Sequence, residues 1–218
     1  LTPIEGKTSW FRFHHLFGDI LRMQLERTEP NLIKSWYIQI SVWFSDRGFI
    51  TEAIHYAVMA EDYDLASNTV IEHKKSTLDA GEWWIVKQWL EKIPNQIRKS
   101  NVDLLLTELR ICEDTYEHER VILLLGHLEL LGVEKLDFQT KAIYLFHKGY
   151  YFTFFVADPK KAIECLEVSK KLYKNQSYFG ARRELTLAIA KQMMGETALV
   201  LKSLDAIEKN FHPSSIMY

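Results

Sequence analysis

The sequence predicts an all-α fold built from helical hairpins. Three observations carry that expectation. Apolar residues recur at helical spacing in nearly every segment after residue 14. Prolines and several glycines fall where those segments change phase, as helix starts and stops require. No run of β-branched residues alternates between hairpin turns. Apolar residues make up 47% of the 218, enough to bury a substantial core.

Leu1 to Phe13 is short and strand-like, with Gly6 as a turn. Gly6-Lys7-Thr8 is similar to the tail of a phosphate-binding loop. The full loop needs glycine where Leu1 stands and a helix afterwards, so a β-turn is the better reading. Leu16 to Arg27 reads as a helix, and Pro30 opens the next, which runs to Arg47. Ile33, Trp36, Tyr37, Ile40, Trp43 and Phe44 form its apolar stripe, and Gly48 ends it. Thr51 is the expected N-cap of a short helix with Ala53, Ala57 and Ala60 on one face. Further helices are expected at 63–80, 82–93, 102–116, 118–132, 137–157, 159–174, 178–194 and 196–210, with a single turn at 95–100. Asp158-Pro159 supplies both an N-cap and a first-turn proline.

The helices pair, and the pairs recur. Ala53, Ala57 and Ala60 share their spacing with Val86, Leu90 and Ile93, and with Leu124, Leu128 and Leu131. They share it also with Ala162, Leu166 and Ser169, and with Val200, Leu204 and Ile207. A period of about 33–38 residues in hairpins marks tetratricopeptide-like arrays, in which each hairpin buries its stripe against the next. The expected architecture is therefore a right-handed superhelix of such hairpins, with a short strand-like N-terminal remnant.

The formal net charge is -2, which gives no basic face for nucleic acid. Cys112 and Cys165 lie far apart on helical patterns and read as buried thiols of a reducing cytosol. The apolar runs are too short to span a membrane. Histidines are scattered without metal-ligand spacing, and no nucleophile or carboxylate pair stands out, so neither a metal nor a catalytic site is expected. Glu113, Asp114, Glu117 and Glu119 read as an exposed acidic turn. Lys160-Lys161, Lys170-Lys171 and Arg182-Arg183 read as solvated helix faces.

In such hairpins the first helix lines a concave groove. Counting from Ala162 places Tyr144, His147, Tyr151, Phe154 and Phe155 on it; counting from Val200 places Arg182, Leu185, Ile189, Gln192 and Met193; counting from Leu124 places Leu106, Leu109, Glu113 and Tyr116. The candidate effector or partner groove is Tyr116, Tyr144, His147, Tyr151, Phe154, Arg182 and Gln192. The competing reading is that these aromatics fill the core between hairpins.

One stretch carries a family resemblance. WFRFHHLF at 10–17 resembles a WFR(Y/F)HxLF motif of MalT-like ATP-dependent transcription regulators. SVWFSDRGFITEAIHYAVMAEDYDLA, and Gly81-Glu82 with LEKIP at 90–94, resemble the same family's junction into its sensor arm. The close likeness covers about Trp10 to Pro94. It implies a winged-helix tail or linker over 1–28, the first hairpins of the arm over 29–100 and tetratricopeptide-like repeats over 101–212.

The resemblance further implies a parent protein of the STAND class of signalling ATPases. ATP would bind in an upstream domain, and no cofactor is expected in this chain. A LuxR-type DNA-binding output domain is commonly attached, and related chains end in kinase or cyclase domains. The arm would be non-catalytic and cytoplasmic. It would bind a small-molecule inducer or regulatory protein and control self-association, without touching DNA or membrane itself. The alternative is a free-standing helical-repeat adaptor for peptides or proteins.

Overall fold

The computed structural model describes residues 2–3, 11–12, 15–174, 178–196 and 200. The fold is all-α, with tetratricopeptide-like helical hairpins and one pair of two-residue strands. It divides into two compact units, Leu1–His73 and Lys74–Tyr218. Gly6-Lys7-Thr8, the motif residues Trp10, Phe13 and His14, most of the helix expected at 196–210, and the HPSSIMY end lie outside the described residues.

In the first unit, β1 (Thr2–Pro3) pairs antiparallel with β2 (Phe11–Arg12). Then follow α1 (His15–Thr28), α2 (Pro30–Ser45), α3 (Ile50–Met59) and the start of α4 (Tyr63–Asp79). Proline stands in the first turn of α2, as expected. Ala53 and Ala57 are fully buried, and their small side chains let α2 come close. The closeness shows in a 2.7 Å hydrogen bond from Ser41 Oγ to the Ala53 carbonyl. The buried face of α2 is therefore the narrow strip Ile33, Tyr37, Ser41 at four-residue spacing.

That strip corrects the wider stripe expected from sequence, because Trp36 falls beside it and stays 46% exposed. Thr51 is likewise not the cap of α3. Phe49 holds that position without a side-chain bond, and the Phe49 amide instead donates to the Phe44 carbonyl at 3.0 Å. That bond closes the C-terminal end of α2.

The second unit contains α5 (Trp83–Lys92), α6 (Asn95–Ser100), α7 (Val102–Asp114) and α8 (His118–Leu130). After a 3-10 turn at Val133–Lys135 come α9 (Phe138–Tyr151), a π-helical turn (Phe152–Val156), α10 (Pro159–Leu172) and α11 (Tyr178–Met193). One core joins α7, α8 and α9 through Leu105, Leu109, Leu128, Val133 and Tyr144. A second joins α9, α10 and α11 through Phe146, Ala162, Leu166, Leu187 and Ala190. The repeat positions Val86, Leu90, Ile93, Leu128, Ala162, Leu166, Ser169 and Val200 are buried. Among the described repeat positions Leu131 is the exception at 40% exposed, because α8 has ended one residue earlier. Cys112 is buried and Cys165 only half-buried, and neither forms a disulfide. Burial, with Glu117 beside it, pushes the Cys112 thiol up to about 12, so it is inert as a nucleophile.

One turn recurs along the chain. Gly48, Glu61, Gly81, Tyr116 and Gly195 each adopt a left-handed backbone just after a helix. The amide of the following residue reaches back five positions in every case, for example Glu82 to Thr77 at 3.0 Å and Glu117 to Cys112 at 2.9 Å. This closing bond satisfies a carbonyl that the helix end would leave open. At Ala157 the same bond runs back six positions, from the Asp158 amide to Phe152 at 2.9 Å. The extra residue is the π-helical insertion.

Asp158 then caps α10 as expected, accepting from the Lys161 amide at 3.1 Å. Just before the insertion, a Cβ on Gly149 would stand 2.6 Å from Leu166 Cγ, so only glycine lets α9 and α10 meet there. Among the described residues no helix is long and apolar enough to cross a membrane.

Candidate functional site

Helices α7, α9 and α11 bring a charged and aromatic cluster together in the second unit. Arg182 enters from α11. Its Nη2 donates to Asp114 Oδ1 at 2.9 Å and stands 3.9 Å from Glu113 Oε2. The guanidinium lies 5.6 Å from the ring centres of both Phe146 and Tyr150 on α9, within cation–π range. Asp114 also accepts from Arg110 Nε at 2.8 Å, an i,i+4 pair on α7. Glu113, one residue earlier, points into the interior and is fully buried. Its Oε1 meets His147 Nδ1 at 2.8 Å. Glu113 Oε2 and Arg182 Nη1 are buried without hydrogen-bond partners among the described residues.

The local field is strongly structured. Burial, reinforced by the Glu113 carboxylate, pushes the Tyr150 hydroxyl up to about 12, so it stays a neutral donor and acceptor. Burial also raises the Asp79 carboxyl, against the pull of Arg110, Lys75 and Arg182. Asp79 ends α4, so the cluster gathers charges from four helices.

Beside this cluster the rings form a ledge. The turn after α7 and the C-terminal end of α9 place Tyr116 and His118 against Tyr151 and Phe155. Ring centres are 6.4 Å apart for Tyr116 and Phe155, 5.0 Å for His118 and Phe155, and 6.1 Å for the stacked pair Tyr151 and Phe155. Phe154 packs 4.5 Å from Tyr150 and is 41% exposed, while Tyr116 is 72% exposed.

Of the seven residues expected from sequence, five meet here: Tyr116, His147, Tyr151, Phe154 and Arg182. His147 lies beneath the surface as the partner of Glu113. Tyr144 is fully buried in the core and donates to Glu129 Oε1 at 2.6 Å, away from this cluster. Gln192 is exposed near the end of α11, and none of the contacts described here reaches it.

Two surface readings are corrected. Glu113 is interior rather than part of an exposed acidic turn, because the His147 ring hydrogen-bonds it and the Arg182 guanidinium stands 3.9 Å away. Arg182 and Arg183 are not solvated: Arg183 is 2% exposed, and its Nη1 donates to the Tyr173 carbonyl at 2.7 Å. Sequence reasoning missed Asp79, Arg110, Asp114, His118 and Tyr150. The Arg110–Asp114 spacing was a local signal for one pair; the link to Arg182 spans 68 positions and had none.

The fold defines a helical-hairpin chain that presents an aromatic and charged surface. Residues 1–33 match the family model of the MalT winged helix domain. The chain is 24% identical over 212 residues to the HTH-type transcriptional regulator MalT of Vibrio parahaemolyticus, covering 93% of this chain and 22% of that protein. It is 26% identical over 137 residues to MalT of Klebsiella pneumoniae, covering 59% of this chain and 14% of that protein. It is 28% identical over 106 residues to the serine/threonine-protein kinase PknK of Mycobacterium tuberculosis, covering 49% of this chain and 10% of that protein. The chain is thus MalT-like, and it spans about a quarter or less of the length of these relatives. No solved structure matches it.

Proposed function

We propose that this chain is the non-catalytic sensor and scaffold arm of a MalT-like signalling ATPase of the STAND class. The parent is a cytoplasmic transcription regulator. Its nucleotide-binding domain would precede this chain, and a DNA-binding output domain would follow. The observation that carries the reading is the cluster of Glu113, His147, Tyr150 and Arg182 beside exposed rings. It combines buried polar atoms without partners and an open apolar ledge in a chain similar to transcription regulators. An effector or regulatory protein binding there favours one conformation of the arm and so biases self-association of the parent.

Transcript profiling tests this in cells whose parent protein carries Arg182→Ala or Tyr151→Ala. The expected result is a normal amount of parent protein, with the regulated transcripts shifted as in a deletion strain. A wild-type profile in both variants would remove the site assignment.

A further inference from the structure

Helix α8 is apolar on two opposite sides. Val121, Leu124, Leu125 and Leu128 are buried in the core shared with α7 and α9. On the other side Ile122, Leu123 and Leu130 are 44%, 72% and 86% exposed, and Gly126 is exposed between them. At about 100° per residue these four fall in one stripe that takes up about a quarter of the helix surface. A helix that is apolar all round belongs in an interior. The next hairpin shows what the same face carries where water covers it. In the register that matches Leu124 to Ala162, Ile122, Leu123 and Gly126 fall on Lys160, Lys161 and Glu164 of α10, all exposed. Of the four, Leu130 alone keeps an apolar match, Val168.

Gly126 marks the centre of the stripe. It stands well inside α8, where glycine is less favourable than alanine. No described atom lies within 4 Å of where its Cβ would stand, so the packing of the chain does not call for it. Gly149 shows what a glycine inside a helix is for in this protein: a Cβ there would stand 2.6 Å from Leu166 Cγ, because α10 comes in close. Gly126 offers the same close approach to a helix from outside.

The stripe is also complementary to itself. Ile122 and Leu130 lie four residues before and four residues after Gly126. Two such helices, antiparallel about a two-fold axis at Gly126, set Leu130 of each copy between Ile122 and Leu123 of the other. The glycines meet at the crossing and let the helix axes approach. Glu129, at the edge of the stripe, is paired with Lys148 at 2.8 Å, so the two copies bring no bare like charges together there. We propose that the outer face of α8 is a contact between two copies of this chain, packed antiparallel through Ile122, Leu123, Gly126 and Leu130. The exposed parts of the three large side chains come to roughly 400 Å² on each copy, so apolar side chains alone cover about 800 Å² in a pair, and with a polar rim this is the size of a weak, reversible association.

Sedimentation velocity of the 218-residue chain over about 1–200 µM tests it, with a monomer–dimer equilibrium expected on the order of 50 µM. Leu123→Lys, which gives α8 what α10 has at Lys161, and Leu130→Lys are each expected to weaken association at least about tenfold. Gly126→Gln is expected to weaken it at least about threefold while raising the melting temperature of the dilute monomer, since a helix former replaces glycine; that rise separates a lost contact from misfolding. Gly126→Cys reads the symmetry. Its thiols meet at the two-fold axis, so diamide is expected to give a covalent dimer quickly, and Lys161→Cys on the matching face of α10 is expected to give none. A single monomeric species up to about 200 µM would overturn the proposal. So would association that survives both lysine substitutions, or a Gly126→Cys chain that cross-links no faster than Lys161→Cys. The contact uses none of the residues in the Arg182 cluster, so transcript profiling of the Arg182 and Tyr151 variants decides the effector reading separately.

Discussion

The turns closed by Gly48, Gly81 and Gly195 and those closed by Glu61, Tyr116 and Ala157 share a left-handed backbone but use different residues for it. The glycine turns are free of strain, and nothing lies within 4 Å of where their Cβ atoms would stand. The Tyr116 and Ala157 turns flank α8 and α9 and carry the exposed rings, the buried carboxylate and the π-helical insertion. The difference teaches that the left-handed backbone is what these turns have in common, and that glycine meets it without strain where Glu61, Tyr116 and Ala157 do not.

The largest blow to this contrast is Glu113→Ala. It leaves Arg182 and His147 beside an empty buried position and should cost about 3–5 kcal/mol, read as a lower denaturation midpoint. Gly149→Ala comes next. Its new methyl meets Leu166 at a distance no packing tolerates, so overpacking should cost about 1–3 kcal/mol.

Smaller and more telling is a reciprocal pair in the turns. Gly81→Ala should destabilise by about 1 kcal/mol through backbone strain alone, since no atom blocks its Cβ. Tyr116→Gly should stabilise by a similar order, about 1 kcal/mol. Thermal melts of both variants check the sign, and a loss of stability in Tyr116→Gly would break the comparison.

The smallest effect is in acid. Bonds to the Lys161 amide and Lys161 side chain hold Asp158 below the usual aspartate range, and bonds from Thr140 do the same for Asp137. A depressed folded pKa gives stability that is present above the ordinary carboxylate value and lost as pH falls through the folded one. Melts should therefore be flat near neutrality and weaken below about pH 4. Asp158→Asn should remove part of that acid dependence.

Helix boundaries were legible because their signals are local. Pro30, Gly48, Gly81 and Asp158-Pro159 act on their own few residues, and each did so in the structure. The repeat positions were legible for the same reason, since Ala53, Leu90 and Ala162 lie on one face of one helix each. Trp36 was misread because apolarity does not say which of two adjacent stripes faces the neighbouring helix. Glu113 was misread because the groups beside it come from α9 and α11, far along the chain. Tyr144 and Tyr151 lie two turns apart on one face of α9. Packing against α7 and α8 encloses the first and leaves the second half-exposed, a distinction that counting alone cannot make.

Arg182 joins α11 to Asp114 on α7 and so passes over the hairpin that begins with α9. Repeat families commonly grow and shrink by gaining or losing whole hairpins, because each unit touches only its neighbours. A strut that skips a unit removes that freedom. Duplicating or deleting the α9–α10 hairpin would set Arg182 opposite the wrong helix and leave both charges behind. Such an insertion or deletion is therefore expected to cost the second unit its direct contact between α7 and α11.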